Sequence, residues 1–410
     1  MSEWKRYKLS ELYEMSSGIS STKEQAGHGS PFLSFSVVFN NYFLPDSLID
    51  LMDTTDGEKQ KYSINEGDIF LTRTSETVDE LAMSSVALKD YPEASFSGFL
   101  KRLRPVDKTI VYPKFMAFYL RSPLFRRTIM NNTVMTLRAS FNEAMFSYLE
   151  IMLPDFDTQK KIGDFLYSLE KKKQINNQIN QELEAMAKTL YDYWFVQFDF
   201  PDQNGKPYKS SGGKMVYHPE LKREIPEGWG VENLFDIADV QYGYPFSTDY
   251  FNSIGEGVPV IRIRDILGND ITNYSTEEVE DKYKINVGDV LIGMDGNFHM
   301  NYWIKENCYL NQRVVKVNSD KLPNMVLKYQ IEPFIKLREK SVSRTTVGHL
   351  SDKDLKAINV ILPKEKNLSP IVERFESILK NIIINQQQNQ ELTQLRDWLL
   401  PMLMNGQVKV

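Results

Sequence analysis

Apolar residues recur in alternating steps of three and four through residues 157–195. The positions are Ile162, Phe165, Leu169, Lys172, Asn176, Ile179, Leu183, Met186, Leu190 and Tyr193, with Lys172 and Asn176 the polar members. Such spacing predicts one long helix packed lengthwise against another. The partner lies in the same chain. Residues 154–183 align without a gap on residues 363–392, and Asn180-Gln181-Glu182-Leu183 recurs as Asn389-Gln390-Glu391-Leu392. The second copy has its own stripe: Ile371, Phe375, Ile378, Ile382, Asn385, Leu392, Leu395, Leu399 and Met402. Matched polar positions, Asn176 and Asn385, would fix register at some cost in stability.

The repeat extends beyond the helices. Trp4 and Leu9 correspond to Trp229 and Leu234, and Ile64-Asn65-Glu66-Gly67-Asp68 corresponds to Ile285-Asn286-Val287-Gly288-Asp289. A short apolar run follows each: Ile69-Phe70-Leu71 and Val290-Leu291-Ile292. Gly-Asp before such a run predicts a turn entering a buried strand. Each copy then reaches a strand that stops at a proline, Pro154 or Pro363. The expected fold class is α+β, with two similar domains, an antiparallel coiled coil and a pseudo-twofold internal repeat. The expected boundaries are residues 1–155, a helix at 156–198, a linker at 199–228 rich in Pro, Gly, Lys and Ser, residues 229–363, and a second helix with its tail at 364–410.

Composition narrows the chemistry. The chain has 410 residues, ample for such a core, and a net charge of −6. That sign is wrong for a protein that simply coats DNA, so a nucleic-acid role requires locally clustered Arg and Lys or a positively charged partner. The single cysteine, Cys308, excludes an internal disulfide and favours a reducing cytoplasmic compartment. No signal peptide is expected after Met1, and no apolar run is long enough to span a bilayer. His28, His218, His299 and His349 have no zinc-ligand spacing with Cys308. A phosphate-binding Gly-rich loop and an adenine-methyltransferase tetrapeptide are both missing. Pro154-Asp155 followed by Glu170-Lys171-Lys172 fits a loose Mg²⁺-nuclease pattern, but the second copy reads Pro363-Lys364, without the carboxylate.

Longer stretches resemble a known family. Tyr193-Trp194-Phe195-Val196-Gln197-Phe198-Asp199-Phe200-Pro201, Gly205-Lys206-Pro207-Tyr208-Lys209-Ser210-Ser211-Gly212-Gly213 and Glu224-Ile225-Pro226-Glu227-Gly228-Trp229 resemble the central region of type I restriction-modification specificity subunits. Leu395-Arg396-Asp397-Trp398-Leu399-Leu400-Pro401-Met402-Leu403 resembles that family's C-terminal end, and Thr346-Val347-Gly348-His349-Leu350 a segment of its target-recognition domains. The resemblance covers the whole chain. It implies two target-recognition domains that each read half of a split double-stranded DNA site, spaced by two helices. It also implies a non-catalytic chain without a cofactor, docking two methyltransferase subunits and two restriction/translocase subunits. Those partners would use S-adenosylmethionine, ATP and Mg. Thr136-Leu137-Arg138-Ala139-Ser140-Phe141 departs from the Thr-Val-Gly-His-Leu wording, so the equivalent loops need not do the same job.

Candidate DNA contacts follow from residue type and place. Arg reads guanine and Asn or Gln reads adenine, while Ser, Thr and Lys hold phosphates. Thr72, Arg73, Thr74 and Ser75 end the first apolar strand; Asn297 lies in the matching loop of the second copy. Arg138 and Ser140, and Arg344, Thr345, Thr346 and His349, precede the final strands, with Arg313 a further candidate. An ordinary hairpin turn or a solvated loop accounts for the same residues without DNA. Tyr193, Trp194, Phe195, Trp398, Leu399 and Leu400 at the helix ends form either a docking patch for methyltransferase subunits or the closing layer of the coiled coil. A helix over residues 157–195 would be roughly 58 Å long, enough to set the gap between half-sites. The alternative to a DNA reader is a coiled-coil scaffold that binds proteins and never touches DNA.

Overall fold

The computed structural model describes residues 4–133, 139–341, 348–363 and 365–408. The chain divides into two compact units, Met1–Lys173 with Glu391–Val410 and Gln174–Gln390. Each is built on one plan. In the first unit β1 (Tyr13–Ser17), β2 (Ile69–Thr72), β3 (Ser84–Val86) and β4 (Leu100–Pro105) form an antiparallel sheet ordered β1-β4-β2-β3. In the second, β5 (Asp239–Tyr242), β6 (Val290–Gly293), β7 (Met300–Tyr302) and β8 (Val314–Asn318) take the order β5-β8-β6-β7, again antiparallel. A parallel pairing completes each module, Phe32–Leu33 beside Ser95–Phe96 and Val260–Ile261 beside Tyr309–Leu310.

The apolar runs are continuous because both sheet faces are covered. Side chains alternate along a strand. Ile69 and Leu71 therefore enter one apolar cluster while Phe70 enters another. Val290 and Ile292 are likewise divided from Leu291.

The Gly-Asp turns are equivalent in detail. Gly67 has φ +91° and Gly288 φ +93°, backbone that L side chains rarely adopt. Asp68 Oδ2 accepts the Asn65 N–H at 2.8 Å, and Asp289 Oδ2 accepts that of Asn286 at 2.7 Å. Arg104 Nη2 then donates to Asp68 at 2.6 Å, where the second copy has Asn318 donating to Asp289 at 2.9 Å. Arg102 reaches the Ser63 carbonyl, and Lys316 reaches that of Lys284. The basic run at residues 101–104 is thus consumed in holding its own module.

The long helices are α1 (Phe156–Tyr191) and α2 (Glu365–Met404). They run antiparallel: within the second unit Asn176 bonds Asn389 and Asn180 bonds Asn385. Within the first, Arg396 reaches Glu170 at 3.1 Å. Neither helix is a separate spacer domain, because each is divided between the units. Leu400, Leu403 and Met404 of α2 join the first unit's core beside Ile162 and Leu166, while Ala187 of α1 joins the second unit's core beside Ile371 and Phe375.

Three expectations are corrected. The seam keeps alternate expected positions, Ile162, Leu169, Asn176, Leu183 and Leu190, and moves the others by one residue; Leu166 is fully buried and Lys172 is exposed. Asn180, Ala187 and Trp194 turn inward, while Ile179, Met186 and Tyr193 are 41%, 60% and 37% exposed. The second copy slips alike, burying Arg396 and Leu403 and exposing Leu395. Helix α1 ends at Tyr191, and residues Asp192–Val196 continue as a π-helical turn in which the Gln197 N–H reaches the Asp192 carbonyl. The segment 199–228 is also more than a linker. It forms a hairpin, Met215–His218 on Arg223–Pro226, and buries Phe200 and Ile225. Phe200 stacks on Trp229 with ring centroids 4.8 Å apart.

Candidate nucleic-acid interface

In the first unit the end of β2 runs directly into the short strand Thr74–Ser75. This pairs antiparallel with Ala139–Ser140, Ser140 opposite Thr74 and Ala139 opposite Ser75. The Phe141 N–H closes the junction by donating to the Arg73 carbonyl at 2.8 Å. The two loops singled out in the first copy are therefore neighbours. In the second unit Asp295 pairs with His349, and the Leu350 N–H donates to the Met294 carbonyl at 2.8 Å. The two junctions share one backbone pattern, with Arg73 matching Met294, Thr74 matching Asp295 and Ser140 matching His349.

The candidate residues do not all face solvent. Arg73 is exposed and Thr74, Ser75 and Ser140 are half-buried. Thr72 is fully buried, and its hydroxyl accepts the Met83 N–H at 2.9 Å. It shapes the strand end that carries Arg73 and presents nothing outward. Arg138, Arg344, Thr345 and Thr346 lie outside the described residues. Asn297, Arg313 and His349 are exposed. Arg313 and His349 converge on Asp295: Arg313 Nε lies 3.4 Å from one carboxylate oxygen and His349 Nδ1 2.7 Å from the other.

Sequence reasoning did not single out Asp295, the carboxylate that gathers these groups. Arg262, Ile263, Arg264, Asn311, Gln312 and Arg313 line one concavity. The Arg262 guanidinium stacks over the Phe251 ring at 5.3 Å. Burial, and then the neighbouring charge of Arg264, hold its pKa below the usual arginine range. A desolvated cation beside others favours an arriving anion or an acceptor-rich edge. The concavity holds a local cluster of positive charge on a net-acidic chain.

Sequence reasoning also missed the aromatic groups of the first unit. Phe99 is 67% exposed and lines a cleft with Phe35, Phe39, Thr74, Ser75, Glu76 and Glu80. Phe35 and Phe39 stack with centroids 5.8 Å apart.

At the helix ends, Trp194, Phe195 and Leu400 are corrected from docking candidates to core. Trp194 packs edge-on against Phe375, Phe195 stacks with Tyr191, and Leu400 belongs to the first unit's apolar cluster. Tyr193 and Trp398 remain exposed, at 37% and 66%, and Leu399 is half-buried. The loose nuclease pattern is taken up structurally. Asp155 accepts both the Thr158 N–H and hydroxyl at the start of α1, which lower its pKa, the backbone bond most strongly. Glu170 is paired with Arg396 and Lys173. No helix among the described residues is long and apolar enough to cross a membrane.

Two α+β modules built on one plan, with matched loop junctions, define an internally repeated α+β protein. The family model described as the type I restriction modification DNA specificity domain matches residues 1–185 and 226–394, so the chain belongs to that family. It is 22% identical to the type I restriction enzyme HindI specificity subunit of Haemophilus influenzae over a 485-residue alignment covering 100% of each chain. The EcoBI specificity subunit of Escherichia coli is 28% identical over 173 residues, which are 42% of this chain and only 36% of that relative. The crystal structure of a type I restriction-modification S subunit from M. genitalium shares the fold, with a TM-score of 0.59 and 13% identity over 98% of this chain and 96% of that one.

Proposed function

We propose that this chain is the DNA-specificity subunit of a type I restriction-modification complex, each module reading one half of a bipartite double-stranded target. The observation that carries the reading is the pair of matched junctions. One backbone pattern presents Arg73, Thr74, Ser75 and Ser140 in the first module, but Asp295, Asn297, Arg313 and His349 in the second. Equivalent scaffolds with unlike side chains suit two readers of unlike half-sites. Arg138, Arg344, Thr345 and Thr346 belong to the same two loops by sequence and join the proposed contact set.

The chain selects the site and carries no catalytic centre in this reading. Two methyltransferase subunits and two restriction/translocase subunits, working with S-adenosylmethionine, ATP and Mg, perform the chemistry. The exposed apolar groups Ile179, Met186 and Tyr193 on α1, and Trp398 on α2, are the contact residues we assign to partner subunits.

A salt titration of DNA binding tests the reading, using the chain assembled with its own methyltransferase subunit. A reader gives sequence preference and a negative slope of log K against log salt. The scaffold alternative gives neither, and that result would reject the proposal.

A further inference from the structure

Phe99 and Arg313 occupy the same place in the two modules. Phe99 immediately precedes β4, and its carbonyl accepts the Arg73 N–H at 2.9 Å. Arg313 immediately precedes β8, and its carbonyl accepts the Met294 N–H at 3.0 Å. Arg73 and Met294 are themselves equivalent, so four backbone groups fix the two side chains at matching nodes beside the loop junctions.

The surroundings of the two nodes differ in kind. Around Arg313 stand Arg262, Arg264, Asn311 and Gln312, a wall of hydrogen-bond donors and positive charge. Asp295 Oδ2 lies 3.4 Å from Arg313 Nε, and more than half of the Arg313 side chain stays exposed. A guanidinium presented this way matches the paired O6 and N7 acceptors of guanine in the major groove. Around Phe99 stand Phe35, Phe39 and the hydroxyls of Thr74 and Ser75, with Glu76 and Glu80, among the described residues lining the cleft. The three aromatic rings supply apolar surface, the complement of a thymine C5-methyl group.

Resting on the proposed function, we infer that Arg313 and Phe99 are equivalent specificity-determining residues, Arg313 reading a guanine in one half-site and Phe99 seating a thymine methyl in the other. Asp295 is a positioning residue for Arg313.

The test uses the chain assembled with its methyltransferase subunit, first mapping its methylated target, then measuring binding to modified duplexes. Replacing guanine by 7-deazaguanine removes N7, and replacing thymine by deoxyuridine removes the methyl. We expect the wild type to lose about tenfold or more in affinity from 7-deazaguanine at one position of one half-site, and a smaller factor from deoxyuridine at one position of the other. Arg313→Lys keeps the charge but loses the fork, and becomes insensitive to the 7-deazaguanine change alone. Phe99→Leu becomes insensitive to the deoxyuridine change alone. Melting temperatures and binding to the untouched half-site confirm that both variants are folded. Retained sensitivity in the variants, or both substitutions acting on one half-site, would overturn the inference. Absence of any sequence preference in the wild-type complex would instead reject the proposed function.

Discussion

Asn176 Nδ2 donates to Asn389 Oδ1 at 3.0 Å, and the sequence repeat maps this pair onto Asn385 and Asn180, which form the same bond at 2.8 Å. The donor in each pair occupies the equivalent position. The helix contact is therefore symmetric about its own middle, and a slip of either helix would separate both pairs together. Apolar side chains alone would tolerate such a slip better, which is why buried amides specify register.

A double-mutant cycle measures this. Asn176 is fully buried. Asn176→Ala should cost about 1–3 kcal/mol by removing a buried amide that donates to both Asn389 and Gln388. Asn389→Ala should cost a similar amount. The paired change to Leu should restore stability while loosening register, read by disulfide cross-linking between helix positions one turn out of alignment. Additive losses with no coupling would show that the amides act independently.

Thr72 and Arg73 are adjacent but separable. Thr72→Val removes the acceptor of the buried Met83 N–H and should lower stability by about 1–3 kcal/mol in chemical denaturation. Arg73→Ala should leave the denaturation midpoint unchanged and weaken DNA binding. A folded-state loss in Arg73→Ala as large as that in Thr72→Val would show that Arg73 is structural.

Arg396 closes the first unit from α2. It donates to Glu170 and Asp397 and stands 4.9 Å from the centroid of the Tyr42 ring. Arg121 stands at the same distance from that ring, and burial pushes its guanidinium down to about 10. Arg396→Met should destabilise the first unit by on the order of 3 kcal/mol, because Glu170 loses a largely buried partner. A change below about 0.5 kcal/mol would rank the pair with ordinary surface ion pairs.

Cys308 is fully buried, and burial raises its thiol to about 11. Only on the order of one thiol in a thousand is then ionised at pH 8. Iodoacetamide at that pH should leave the folded chain unmodified and label it fully in denaturant, as read by intact mass. Prompt labelling of the native chain would contradict the packing of Trp303, Cys308 and Leu310 in one cluster.

The repeat, the antiparallel helix pair and the Gly-Asp turns were legible because each leaves a literal mark at fixed spacing. The intervening positions of the seam were not. Ile179, Met186 and Tyr193 sit one residue before Asn180, Ala187 and Trp194, so an apolar pattern alone selects the outward set. Asn180 turns inward because Asn385 meets it there, a fact held in the partner helix. The equivalence of loops between the copies was read from place in the repeat, but their adjacency within each copy came from the structure. Nothing in the spacing of Asp295, Arg313 and His349 shows that the last two converge on the first. Phe99 carried no signal, since an aromatic beside a strand ordinarily means core.

Leu400, Leu403 and Met404 complete the core of the unit that begins the chain. In synthesis these side chains follow the whole of the second module, so the apolar cluster they belong to stays incomplete while that module is being made, and its uncovered side chains need protection for that interval.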